Sequence, residues 1–281
     1  MSDQASRRDL GGENAGLPTL FARLWRHREL LRELVSRDLS EAYAGSMLAR
    51  AWAVLHPLLL ICLYLFVFGY VFTARVGGDL PSEPDFAVFM LSGLACWLTI
   101  QSALGKATSS LVAASNLVKQ VVFPLELLPI RSVVAAQLPL LIGLAGVTIY
   151  SLLRFGMISP LLPLVIYVVV AQGVLLTGLT LFLSAMTVFV RDTRDLVQFF
   201  TAFGIFLLPV IYLPGSLPAA FEIVLWVNPL SHAIWCLQDI FFFQSFRHPS
   251  SWLILGVLAP LALWFGWRFF ERTRANFGDV L

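Results

Sequence analysis

Six stretches of this sequence run for 20 residues or more without Asp, Glu, Lys or Arg: 51–74, 86–105, 132–153, 155–190, 196–221 and 248–267. A hydrocarbon core of roughly 30 Å is crossed by about 20 apolar residues in helical form. Within it every backbone N–H and C=O must find a partner, which leaves helices or closed barrels. The windows lack the two-residue alternation of barrel strands, so helices are expected. The predicted fold is all-α: a polytopic membrane protein with six transmembrane helices, at about 51–73, 86–105, 132–153, 161–190, 196–213 and 250–270. Soluble chains carry roughly 45–50% apolar and about 25% charged residues. Here the fractions are 58% and 13%. That excludes a soluble enzyme, a disordered tail or a disulfide-stapled module. The net charge of +2 is too small to call for nucleic acid. Cys62, Cys96 and Cys236 all sit in apolar stretches and read as small core residues.

The remaining segments divide the chain further. Residues 1–19 are read as a flexible tail, 20–50 as an interface helix with the lead-in to the first span, 51–270 as the transmembrane domain, and 271–281 as a cytoplasmic tail. No cleavable signal peptide is expected in the polar, Arg-rich first 50 residues. Leu20, Leu24, Leu31, Leu34, Val35 and Leu39 fall at helical spacing, with Arg23, Arg26, Arg28 and Arg32 between them. This pattern suits an amphipathic helix in the membrane interface, or a solvated juxtamembrane helix. Residues 223–238 are uncharged but short, and Asn228-Pro229 interrupts them. Asn228 is expected to cap a new helix, giving a re-entrant outer hairpin before the last span. With the N-terminus inside, the inner segments carry 16 of the 19 Lys and Arg residues and the outer loops carry Arg75, Arg154 and Arg247. That bias predicts both termini in the cytoplasm.

Chemistry-bearing groups are sparse. No Asp, Glu, Lys or Arg falls within the six charge-free windows, which argues against a proton-coupled carrier. His56 and His232 stand far apart without a nearby carboxylate, so no metal site is expected. A phosphate-binding loop is missing: Gly105-Lys106 is followed by Ala107, and Ile100 stands where the first glycine belongs. No Gly-x-Ser-x-Gly elbow is present either. The chain is therefore expected to have no catalytic residue and no cofactor of its own. Aromatics are abundant, with 23 Phe, 8 Trp and 6 Tyr. Tyr64, Phe68 and Phe72 share one helix face, and Phe199, Phe203 and Phe206 form a second stripe. Such rungs suit a sliding polysaccharide, whose sugars present apolar C–H faces. They equally suit helix packing or lipid contact. The connection 107–130 is too apolar for a free loop, which predicts that it docks on something.

Ordered motifs add a resemblance. Arg37-Asp38-Leu39, Tyr43, Gly45-Ser46, Trp52 and Pro57 lead into the first span. Phe123-Pro124-x-Glu126-x-Leu128-Pro129 follows the second, Arg191-Asp192 the fourth, and Asn228-Pro229-Leu230 precedes the last. The ordered set resembles ABC-2 permeases that export polysaccharides such as O-antigen, teichoic acid or capsule. Ala42 and Ala44 depart from the basic residues that usually flank the tyrosine.

That resemblance implies a homodimer in the bacterial inner membrane, with two copies of an ABC nucleotide-binding protein that hold the ATP and Mg. The cargo is then a lipid-linked polysaccharide. It implies coupling to the ATPase through residues 20–39 and about 113–126, which contain Leu117, Val118, Val121, Phe123 and Glu126. The lead-in motif is Arg37, Asp38, Tyr43, Ser46 and Trp52. An outer gate at about 219–243 contains Trp226, Asn228, Pro229 and Trp235. The aromatic stripes become candidates for the path. An ABC-2 exporter of a drug or small lipid shares this layout. A membrane assembly factor without transport is the reading from another class.

Overall fold

The computed structural model describes residues 16–41, 51–67, 86–115, 123–156, 158–212 and 218–280. All regular elements among them are helical. In chain order they are α1 (Leu17–Arg26), α2 (Arg28–Glu41), α3 (Trp52–Phe66), α4 (Phe86–Ala113), α5 (Leu127–Phe155) and α6 (Val165–Phe189, entered through a 3-10 turn at Leu162–Leu164). Then come α7 (Asp192–Phe203), α8 (Ala219–Val227), α9 (Ser231–Gln238), α10 (Pro249–Thr273) and a last turn α11 (Phe277–Val280). The helix expected over 20–39 is two helices, α1 and α2, which part at His27.

Helix α4 is the hub. It buries Val88, Leu91, Leu94, Trp97, Ile100 and Leu104, and it packs on α5, α6, α7 and α9. The closest crossing joins α6 to α10. A Cβ on Gly266 would collide with the Gly178 carbonyl oxygen, and one on Gly178 would collide with the backbone at Ala262. Lipid tails are as apolar as leucine, so helices in a membrane gain little from hydrophobic burial against each other. Close backbone approach at small residues supplies dispersion contact instead. Helix α5 ends on Gly156 in the left-handed region (φ 70°), whose N–H returns to the Leu152 carbonyl.

Four helices are long and apolar enough to cross a membrane: Phe86–Ala113, Leu127–Phe155, Leu162–Phe189 and Pro249–Val280. A fifth follows if the pair Ala219–Val227 and Ser231–Phe243, bent by 102°, is one crossing. The chain is thus a multi-pass helical membrane protein. Six straight spans are not what the described residues contain. Helix α3 has 15 residues, and the described segment stops one residue after it. The fifth window is broken. Helix α7 passes into a 3-10 turn at Gly204–Leu207, and Leu208 then turns extended (φ −133°, ψ 152°). Pro209 is the cause, because its ring drives the preceding residue out of the helical region. The break is held in place. Gly204 lies against the Trp97 ring, and Gln238 Nε2 donates to the Pro209 carbonyl at 2.6 Å.

Candidate functional site

Two buried carboxylates organise the two ends of the molecule. The first is Glu126. Pro124 and Leu125 accept turn hydrogen bonds from Leu127 and Leu128, so the Phe-Pro-x-Glu-x-Leu-Pro segment folds as a tight turn into α5. Leu125, Leu127 and Leu128 are buried around it and Glu126 is 1% exposed. Arg23 from α1 approaches its carboxylate at 3.7 Å, and Arg274, just past α10, at 3.4 Å. Neither approach has hydrogen-bond geometry, and both Glu126 oxygens lack a hydrogen-bond partner. The Arg23 fork instead bonds Glu271 at 3.1 and 2.9 Å, with its guanidinium 5.3 Å above the Trp267 ring. Arg274 also lies 3.7 Å from Glu271. Burial alone would lower the Arg23 pKa. The hydrogen bonds and charge of Glu271, and then the charge of Glu126, outweigh burial and hold it above the ordinary value. Two cations and two anions thus tie α1, the turn before α5 and the end of α10 into one charged junction. A neighbouring pair, Asp38 with Arg131 at 3.6 Å, ties α2 to α5.

The second carboxylate is Asp239, fully buried in a π turn that continues α9. It accepts from the His248 backbone N–H at 3.0 Å and from Trp252 Nε1 at 3.0 Å. His248 Nδ1 lies 2.8 Å from its other carboxylate oxygen. Rings close around the group. Trp235 stacks on His248 with centroids 5.4 Å apart, and Trp226 lies 4.6 Å from Trp235. Buried His232 reaches Ser251 Oγ at 3.1 Å. Asp239 therefore locks the hairpin onto the first turn of α10.

The structure places the remaining sequence-derived candidates as follows. Trp226 and Trp235 come together. Asn228 does not cap α9, which begins after Leu230. Its Oδ1 instead accepts from the Leu230 N–H in an Asx turn, and its Nδ2 donates to the Leu207 carbonyl at 3.2 Å. The cause is Pro229, which with Leu230 occupies a turn before helical hydrogen bonding starts. Phe199 and Phe203 meet at 5.0 Å with their rings tilted by 45° on α7, both exposed, and Phe206 lies beyond the helix end, also exposed. Tyr64 is half-buried on α3 and lines a cavity with α4 and α5. Trp52 opens α3, and Phe123 packs against the cluster of Phe270 and Phe277. Arg37 and Asp38 lie on α2. Tyr43, Ser46, Phe68, Phe72, Leu117, Val118 and Val121 lie outside the described residues.

Sequence reasoning missed Glu271, Arg274, Asp239 and His248. Phe270 and Phe277, seven residues apart, are both fully buried, so the segment set aside as a tail is a packed helical turn. That period was readable beside Arg268 and Arg272. Asp239 was readable as a lone acid ending a 16-residue apolar run, and His248 nine residues later is its partner.

A family model described as ABC-2 type transporter matches residues 29–242. Curated relatives named O-antigen export system permease protein RfbA come from Klebsiella pneumoniae and Myxococcus xanthus. The first is 24% identical over 260 residues, spanning 90% of this chain and 95% of its own length. The second is 26% identical over 266 residues, spanning 93% and 99%. The matched segment covers most of the chain, from within α2 to the π turn that carries Asp239, and on that ground this chain belongs to the ABC-2 type transporter family.

Proposed function

We propose that the chain is the transmembrane subunit of an ATP-driven exporter that moves a lipid-linked, O-antigen-like polysaccharide across the bacterial inner membrane. The observation that carries this reading is likeness along nearly the whole of both chains to permeases named for O-antigen export. In this reading two copies form the conduit and two ABC ATPase subunits, which hold ATP and Mg, bind beneath. Both termini are cytoplasmic. There are six crossings, the fifth broken at Pro209, with α1 in the membrane interface and α8–α9 as a re-entrant hairpin.

The mechanism follows from the junction. The segment around 113–126 docks on the ATPase. When the ATPase closes, Glu126 moves with that segment. Its two cations, Arg23 and Arg274, follow the charge because no fixed hydrogen bond holds them to one place on the carboxylate. The movement reaches the interface helix and the last span together. At the far end Asp239 keeps the hairpin and the last span as one body. The displacement then reaches the outer gate through the last span. The exposed rings of α7 face the path and offer stacking surface to sugar faces.

Reconstitution with the partner ATPase in lipid vesicles tests this. A lipid diphosphate-linked glycan should stimulate ATP hydrolysis and become accessible on the far side. Turnover with a small lipid or drug but not the glycan would replace the cargo. Stable assembly with no substrate-dependent turnover would replace transport with an assembly role.

A further inference from the structure

We propose that each chain holds a resident anionic phospholipid, one acyl chain lodged between α3, α4 and α5 and the phosphate seated against Lys106 and Arg131. Two adjoining cavities carry the proposal. The larger, about 340 Å³, is walled by Leu60, Ile61 and Tyr64 of α3, Leu91 and Leu94 of α4 and Gly143 of α5. That volume lies within the roughly 300–1,000 Å³ of ligand cavities. Most of its wall is apolar, and its polar lining is Asp38, His56, Tyr64, Gln101, Ser102 and Lys106.

The smaller cavity, about 270 Å³, shares Asp38 and Lys106 with the first and adds Arg131, Ser109, Ser110 and Ser132. An apolar chamber and a polar recess thus lie side by side, with Asp38 and Lys106 in the wall of both. This is the shape of a lipid: a chain and then a head.

Charge fixes the sign of the head. Asp38 is matched by Arg131 at 3.6 Å. Lys106 is exposed, and among the described residues it enters no ion pair. The recess therefore carries one uncompensated positive charge. The three serines direct their hydroxyls to backbone carbonyls, and their oxygens contribute polar lining. A phosphodiester finds its cation in Lys106, the serine protons being already given to backbone carbonyls, and a head that carries its own compensating cation gains less from Lys106.

The occupant is a membrane phospholipid rather than the transported lipid because the chamber lies within one subunit's own helix packing. Among the described residues, its lining beyond those polar groups is apolar, and it offers a glycan no polar partners. The inference stands whatever the cargo is.

A photoactivatable phosphatidylglycerol, with its reactive group at the chain end, tests this on the exporter complex in vesicles. Labelled peptides are mapped by mass spectrometry. Label should fall on the chamber residues Leu60, Tyr64, Leu91 or Leu94. Lys106→Gln should cut that label at least threefold. Leu60→Trp, which fills the chamber from its half-exposed side, should cut it tenfold while elution and melting temperature stay unchanged. Unlabelled phosphatidylglycerol should compete and phosphatidylcholine should compete poorly. Equal competition by both, or full labelling of Lys106→Gln, would overturn the anionic head. Displacement by an isoprenoid diphosphate but not by phosphatidylglycerol would overturn the resident phospholipid and give the chamber to the cargo. Label confined to outward-facing positions would overturn the site altogether.

Discussion

Glu126 and Asp239 are both carboxylates almost wholly withdrawn from solvent, yet they are held in opposite ways. Glu126 has two guanidiniums at 3.4 and 3.7 Å and no aligned hydrogen bond. Asp239 has three nitrogen partners at 2.8–3.0 Å, one of them a backbone N–H. Ion contacts depend weakly on angle, so the partners of Glu126 can slide and remain attracted. Hydrogen bonds weaken steeply when bent, so the partners of Asp239 cannot. Under the proposed mechanism, one end of the molecule transmits a displacement and the other stays whole while displaced.

The largest expected effect comes from breaking the rigid end. Asp239→Ala strands the His248 backbone N–H and the Trp252 indole N–H in a buried site, each stranded donor costing roughly 1–3 kcal/mol. The variant should lose several degrees or more in melting temperature and much of its monodisperse yield. Asp239→Asn keeps an accepting oxygen and should lie between the two. Tryptophan-fluorescence melts of the purified protein give the order. An Asp239→Ala protein as stable as wild type would mean that the hairpin is not locked at this residue.

The junction should respond differently, with function failing before fold. Arg23→Glu and Glu271→Arg each put like charges together and should sharply lower substrate-stimulated ATP hydrolysis and export. Combined, they restore opposite charges, and at least half of the activity should return. Coupling energies inside such networks run roughly 0.5–3 kcal/mol. Glu126→Lys, which sets a third cation against Arg23 and Arg274, should uncouple hydrolysis from export with no partner exchange to rescue it. Purely additive losses in the Arg23–Glu271 cycle would show that the two residues do not act on each other.

The same contrast explains what could be read from the sequence. Helical class and membrane residence follow from charge-free windows, because the cost of charge in lipid is written residue by residue. Glu126 was singled out inside a local motif. Its partners were not, because Arg23 and Arg274 stand far from it along the chain on either side and nothing local marks their meeting. Pro209 carried a local signal that the hydropathy of its window hid. Asp239 sat at the edge of that reasoning, as the acid that closed an uncharged run rather than as a group needing a partner.

The smallest and most selective effect belongs to the α7 rings, which neither transmit nor lock. Phe199, Phe203 and Phe206 are 66%, 52% and 52% exposed on the single chain. Their removal therefore opens no large cavity within it, and melting temperature should stay within a degree or two. Replacement by Ala removes contact surface of any kind. Replacement by Leu keeps most of the apolar volume but removes the flat ring. If the rings stack on sugar as it passes, both series should lower glycan export severalfold while ATPase binding is unchanged. If they only fill space against lipid or a second copy, the Leu series should export like wild type and the Ala series should not. Phe203 is the most informative position. It contacts Phe199 at 5.0 Å and stands at the end of α7, beside the break that Pro209 imposes. A ring there can present its face beyond the helix end, where a Leu side chain offers only its edge of methyl groups. Normal export from Phe203→Leu alone would move the sugar path away from α7 and leave the charged junction and the locked hairpin as the working parts of this chain.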